Sequence, residues 1–209
     1  MLKLMYITND PAVAKIAADA GVDRIFIDME VLGKAERQGG MDTVQSHHTP
    51  EDIAKVRAAI GNQAEIMARV NPINPNSQTE IDDAIANGAD VIMLPMWRTA
   101  DDLRQLVRMV NGRAKVMPLL ETDTAAEHLP EALAVPGIDQ MHIGSTTCTC
   151  AIIRNSCSSS WRTARWTGFA PSSVKQVFPM ALAAWGVPVR GRFRQNISSV
   201  STIVLVHSM

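Results

Sequence analysis

Five short apolar runs in this sequence end in residues that carry charge or a hydrogen-bonding amide. The ends read Asp28-Met29-Glu30, Arg69-Val70-Asn71-Pro72, Leu94-Pro95-Met96-Trp97, Leu120-Glu121-Thr122 and His142-Ile143-Gly144. Gathered on one rim, they supply carboxylates, one guanidinium and an amide. Carboxylate oxygens suit a hard divalent cation, and a neighbouring guanidinium suits an oxyanion.

Such a rim needs strands that all end on the same side. The apolar runs Leu2–Ile7, Arg24–Met29, Glu65–Val70, Val91–Met96, Lys115–Leu120 and Gln140–Ile143 alternate with amphipathic helical patterns, the signature of repeated βα units. Their near-continuous hydrophobicity predicts parallel strands covered on both faces. Asp10-Pro11 and Thr49-Pro50-Glu51-Asp52 predict helix starts. Ser77 with Glu80, and Thr124 with Glu127, have capping-box spacing. Thr99 opens a further helix. The expected inward faces are Val13, Ile16 and Ala20; Ile53, Val56 and Ile60; and Leu103, Leu106, Val107 and Val110. Gly21, Gly61, Gly88, Gly112 and Gly137 stand where helices end. Three of these ends share a Gly-x-Asp junction, at Asp23, Asp90 and Asp139, which reads as one connection reused.

Six strands at roughly 25-residue spacing predict an α/β fold, the first six units of a (β/α)8 barrel, with the site at the C-terminal strand ends. A doubly wound sheet is the alternative, disfavoured because Thr8-Asn9-Asp10-Pro11 stands where a glycine-rich phosphate loop belongs. The long gap at 30–48 is expected to be functional or disordered.

Bulk composition excludes some partners. The 209 residues carry a net charge of -1, which points to neither nucleic acid nor membrane. No run of eighteen apolar residues and no leader pattern is seen, so a cytoplasmic location is expected.

The strings DRIFIDME, ARVNP, ADVIMLPM, PLLET and PGIDQMHIG, in this order, resemble the metal-dependent HpcH/HpaI aldolase and citrate lyase β-subunit family. Members carrying an ERQGGMDT–HHT loop after strand two are the nearest. The resemblance covers essentially all of residues 1–144. It implies a TIM barrel of the phosphoenolpyruvate/pyruvate type, homo-oligomeric when intact. It also implies carbon–carbon lyase or aldolase chemistry on a 2-keto acid such as pyruvate, or a related acyl group, through an enolate. The implied cofactor is a divalent metal, Mg²⁺ foremost, with Mn²⁺ or Co²⁺ as substitutes.

Residue by residue, Arg69 matches the strand-three arginine that contacts the substrate carbonyl and enolate oxygen, where its charge acts mainly on the transition state. The plainer role for Arg69 is a salt bridge to a neighbouring carboxylate. Glu121 matches the strand-five metal ligand, or else serves as a helix N-terminal carboxylate. Asp28 and Glu30 match the acidic strand-two end that orders water or the catalytic loop. Relatives often place a histidine directly after that pair, where Val31 stands here. His47 and His48 are the imidazoles at hand for a general base, or a solvated pair before the Thr49 cap. Arg37, Gln38, Asp42 and Asn71 are candidate substrate-binding residues. His128 and His142 are expected to be structural.

After Gly144 the character of the chain changes. All 21 acidic residues lie at or before Asp139, whereas the only charges beyond it are seven basic ones. All three cysteines and eleven serines lie after Gly144. The family continues strand six as Gly-Leu-Asn-Asp-Leu, with its second metal ligand in that aspartate; here GSTTCTC follows and no second ligand is present. Codons permitted for Ser145–Cys150, grouped one base differently, read NDLHL, and the shifted frame continues as the acidic, amphipathic HHQEFMFELLADGTV. The sequence is therefore read as a barrel truncated after about six βα units (1–144), with an aberrant, out-of-frame or poorly ordered tail (145–209). A genuinely divergent C-terminal region is the alternative. Weak metal binding, impaired activity and an unclosed barrel are expected. The competing function is a non-catalytic remnant or pseudoenzyme that binds a small carboxylic acid.

Overall fold

The structure, a computed structural model, describes residues 3–32 and 48–143. Six strands are described: β1 (Met5–Ile7), β2 (Arg24–Asp28), β3 (Glu65–Arg69), β4 (Val91–Leu94), β5 (Lys115–Leu120) and β6 (His142–Ile143). Between them run the helices α1 (Pro11–Asp19), α2 (Pro50–Ile60), α3 (Ser77–Ala86), α4 (Ala100–Val110), α5 (Asp123–Glu127) and α6 (Leu129–Leu133). All neighbouring strands pair in parallel, in the sequential order β1-β2-β3-β4-β5-β6. A doubly wound sheet reverses its order midway, so that alternative falls. The sheet curls: Arg24 of β2 reaches across its concave side to Gln140, just before β6. The described chain is thus a half-barrel, the first six units of the TIM-barrel fold.

The period-two alternation of strands sorts the core into two parts. Ile25, Ile27, Ile66, Ala68, Ile92, Leu94 and Val116 face the helices and meet Ile53, Val56, Ile60, Leu103, Leu106 and Val110. Met5, Phe26, Met67, Val91, Met93, Met117 and Leu119 fill the concave side. Most strands are shorter than their apolar runs. β4 stops at Leu94 because Pro95 has no N–H for the ladder and Met96 turns to φ 52°.

Two helix starts differ from the spacing-based expectation. Asn76, not Ser77, precedes α3, and the Ser77 hydroxyl accepts from the Asn74 N–H. Thr122, not Thr124, caps α5 by accepting from the Ala125 N–H. The α1 face also differs. Ile16 is 70% exposed and Ala20 is exposed, whereas Ala14, Ala17 and Ala18 are buried. Alanines let α1 lie close against α2, so small size, not hydrophobic bulk, marks its inner face.

The three Gly-x-Asp junctions prove to be one joint used three times. Asp23 accepts from the Leu4 N–H, Asp90 from the Ile66 N–H and Asp139 from the Val116 N–H, at 2.7–2.8 Å. Each aspartate stands before an even-numbered strand and pins the odd-numbered strand before it. At Gly137 (φ 90°) a Cβ would lie 2.8 Å from Val107 Cγ1, so only glycine fits that turn.

The N-terminal end of the half-barrel is tied by charge. Arg24, fully buried, donates to Glu65 through Nε (3.1 Å) and Nη2, and to Gln140 through Nη1 (3.0 Å). Lys115 also pairs with Glu65. Burial by itself would raise the Glu65 pKa; hydrogen bonds and charge from Lys115 and Arg24 override it and hold it at about 2. No described helix is long and apolar enough to cross a membrane.

Candidate functional site

At the opposite end, β2 and β3 place their last residues side by side. Asp28 and Arg69 are register partners, and both follow the parity of Phe26 and Met67 into the concave side. The Arg69 guanidinium meets the Asp28 carboxylate with two parallel hydrogen bonds, Nε to Oδ1 at 2.8 Å and Nη2 to Oδ2 at 2.9 Å. Glu30 Oε2 lies 3.4 Å from the same Nε, and the Phe26 ring lies beneath, 5.4 Å from the guanidinium carbon. Burial would lower the arginine's pKa, but the hydrogen bond to Asp28 and the charges of Asp28, Glu30 and Glu121 raise it. Arg69 is a permanent cation among three carboxylates. Its side-on pairing spends Nε and Nη2, and Nη1 makes no hydrogen bond among the described residues. The salt bridge thus fixes the guanidinium without consuming the nitrogen a ligand would use.

The chain beyond β2 is anchored by Asn71. Its Oδ1 accepts from the N–H groups of Val31 and Leu32, both at 2.9 Å, while its Nδ2 and backbone N–H donate to Glu80. Asn71 therefore holds the start of the long loop, and any bond to substrate competes with these. Glu80, expected at a cap, instead braces Asn71 and Asn74.

His48 comes to the same place from the other end of the loop. The Asp28 N–H donates to His48 Nδ1 at 3.0 Å, so Nδ1 carries the lone pair and the ring proton sits on Nε2. His48 reaches that spot because α2 starts beside it. Asp52, in the first turn of α2, accepts from the Thr49 N–H, from Asn9 after β1 and from Lys55. The structure thus gathers Asp28, Glu30, His48, Arg69 and Asn71. Arg37, Gln38, Asp42 and His47 lie outside the described residues, as does the chain from Gly144 on.

Glu121, at the end of β5, lies across the rim. Its Oε1 accepts from the Met96 N–H at 3.0 Å, and the Thr122 hydroxyl donates to the Trp97 carbonyl at 3.2 Å. These two bonds hold Met96 in the left-handed region, a strained state for a side-chain-bearing residue. Among the described residues no group of three or more histidine, cysteine or acidic side chains could hold a metal ion. Glu121 is one carboxylate, and Asp28 and Glu30 are engaged with Arg69, so the described donor set does not fit a complete metal centre.

A cavity of about 300 Å³ opens at this end between Pro72, Ile73, Met96, Trp97, Arg98 and Asp102. The larger one, about 660 Å³, lies at the N-terminal end, remote from Arg69. Four of its charged residues are already paired, Arg57 with Asp90 and Lys115 with Glu65, so size alone does not mark the site.

His142, expected to be structural, lies at the start of β6. It is 6% exposed, and its Nδ1 finds no hydrogen-bond partner among the described residues. Burial first, then the charges of Arg69 and Arg24, push its pKa down to about 4. A histidine in an apolar run reads as core; only the curled sheet brings it under the charges of two arginines.

The sequence model of the HpcH/HpaI aldolase/citrate lyase family matches residues 3–152. The fold matches the HpcH/HpaI aldolase of Desulfitobacterium hafniense DCB-2 with 18% identity and a TM-score of 0.53, covering 68% of this chain and 62% of that one. It matches an HpcH/HpaI aldolase/citrate lyase family protein of Burkholderia cenocepacia J2315 with 20% identity and a TM-score of 0.54, covering 68% and 63%. The citrate synthase SbnG matches with 16% identity and a TM-score of 0.53, covering 68% and 61%. The chain therefore spans less than two thirds of the length of these structures.

Proposed function

Because this chain belongs to the HpcH/HpaI aldolase/citrate lyase family, we propose that its rim serves carbon–carbon lyase or aldolase chemistry on a 2-oxo acid of the pyruvate type. The observation that supports this reading is the Arg69–Asp28 geometry: a fixed guanidinium whose Nη1 is unspent among the described residues, at the mouth of the half-barrel. When the bond next to a carbonyl breaks, its electron pair moves onto the carbonyl oxygen and leaves an enolate. An N–H donor already aimed at that oxygen gains strength as the charge develops and lowers the barrier. Asp28 and Glu30 orient the guanidinium.

In the cleavage direction a base takes the hydroxyl proton of the departing aldehyde. His47 and His48 are the proposed sources. His48, with Nδ1 already accepting, presents Nε2–H and acts as a donor until that bond is exchanged. A divalent cation, when bound, would help stabilise enolate charge. Glu121 is the residue proposed to meet it, and with one carboxylate its binding is weak. No step above depends on it.

We further propose that residues 145–209 are translated out of frame, and that this chain's own turnover is impaired. The composition break after Asp139 and the NDLHL reading of the shifted codons support this. The decisive experiment compares the chain as it stands with one whose frame is restored at codon 145, following Mg²⁺-dependent exchange of pyruvate methyl protons for deuterium by NMR. The expected result is exchange by the restored chain, its loss in the R69Q form, and at least about a hundredfold slower exchange by the present chain. Absence of exchange in both refutes the enolate reading. Equal exchange in both refutes the impairment.

A further inference from the structure

On the side of the half-barrel away from Asp28, β6 turns one polar side chain inward. Met141 packs with the helix-side core, whereas Gln140 accepts from Arg24 inside the sheet. Strand alternation therefore aims His142 into the concave side, two residues further toward the rim than Gln140. The charges of both Arg69 and Arg24 act on it. Arg24 binds Glu65 and Gln140 below it, and Arg69 stands four residues beyond Glu65 on β3. A neutral imidazole offers one donor and one acceptor nitrogen, and Nδ1 is buried with neither role used among the described residues. Native proteins seldom leave a buried polar atom unsatisfied, and such an atom asks for a ligand or a water. Arg69, whose Nη1 is also without a hydrogen bond among the described residues, stands on the same concave side. Two hydrogen-bonding nitrogens on the concave side, one from β6 and one from β3, thus have no partner among the described residues.

We propose that His142 is a ligand-binding residue, its imidazole sharing with Arg69 the oxygens of a bound 2-oxo acid or its enol. The inference rests on the reading of Arg69 given above and names the second group on the same ligand. A histidine kept neutral between two arginines can polarise a carbonyl without adding net charge to the site. The lowered pKa of His142 keeps the ring in that neutral form near pH 7.

The test uses the full-length chain, labelled with ¹⁵N at its histidines, and oxalate, a planar dianion resembling the enolate of pyruvate. The H142Q form assigns the His142 ring signals. The expected result is that those signals move with the oxalate saturation curve, that R69Q abolishes binding, and that H142Q weakens it about tenfold, the loss of one hydrogen bond to a charged group. His142 signals that stay put while oxalate binds through Arg69 overturn the inference and leave the Arg69 reading standing. A folded H142F chain that binds as tightly as wild type does the same; where H142F fails to fold, the wild-type titration decides alone. Oxalate binding that survives R69Q, or no binding at all, overturns the reading of Arg69 itself.

Discussion

Asp28 and Arg69 end neighbouring strands in register, and the carboxylate takes the Nε–Nη2 edge of the guanidinium in two parallel bonds of 2.8 and 2.9 Å. Both side chains are largely buried, so removing Asp28 leaves the Arg69 charge with only the longer contact to Glu30. D28A is expected to destabilise the protein by about 3–5 kcal/mol, the cost typical of breaking a buried pair. D28N, which keeps one acceptor, should lose less. Urea unfolding of the two variants checks the order, and equal stability of D28A and wild type would contradict the pairing.

Stability should fall on mild acidification. The folded pKa of His142 is about 4, against 6.5 for the free side chain. A histidine depressed in the folded state takes up its proton more readily when unfolded, so acid favours unfolding. The loss begins as pH falls through about 6.5, grows to about pH 4, and then levels off. It amounts to at most about 3 kcal/mol. Glu65 acts later: its carboxylate, held at about 2, contributes stability above its unfolded pKa that is lost as pH falls toward 2. Denaturant unfolding between pH 7 and pH 4 should show the first loss in wild type and a flattened profile in H142Q. An unchanged slope in H142Q would place the acid sensitivity elsewhere.

The repeated joint can be dismantled one copy at a time. D90A and D139A each strip a strand N–H of its partner and should destabilise by about 1–3 kcal/mol. The joints lie on different strands, so the double variant should be close to additive. G137A should also be costly, because φ 90° and the 2.8 Å approach to Val107 act together. A double mutant no worse than either single would show that the joints are not independent.

Divalent cations should stabilise this chain little. A ligand raises stability only as far as its concentration exceeds its dissociation constant, and Glu121 stands without a three-donor group among the described residues. Millimolar Mg²⁺ is expected to move the melting temperature by less than about 1 °C, and E121Q to leave that small shift unchanged. A shift of several degrees that E121Q removes would reveal a working metal site.

The sequence by itself determined the units of this protein. Alternating apolar runs and helical faces gave six strands and their order, because burial on two sides demands continuous hydrophobicity and short connections leave little choice of neighbour. It also placed Arg69, Asp28, Glu30 and Glu121 on one rim, since parallel strands end together. Where it erred, the deciding quantity was a distance between elements. Ile16 looked inward because it is large and apolar, but the gap between α1 and α2 admits only alanines. Glu80 looked like a cap, but it accepts from Asn71 and Asn74 instead. Only tertiary structure could show that His48 takes the Asp28 N–H and so fixes its own tautomer. Only the curl of the sheet could bring His142, far from both arginines in sequence, under the charges of Arg24 and Arg69. Local pattern fixes which face a side chain takes; the charges it meets there depend on strands far away along the chain.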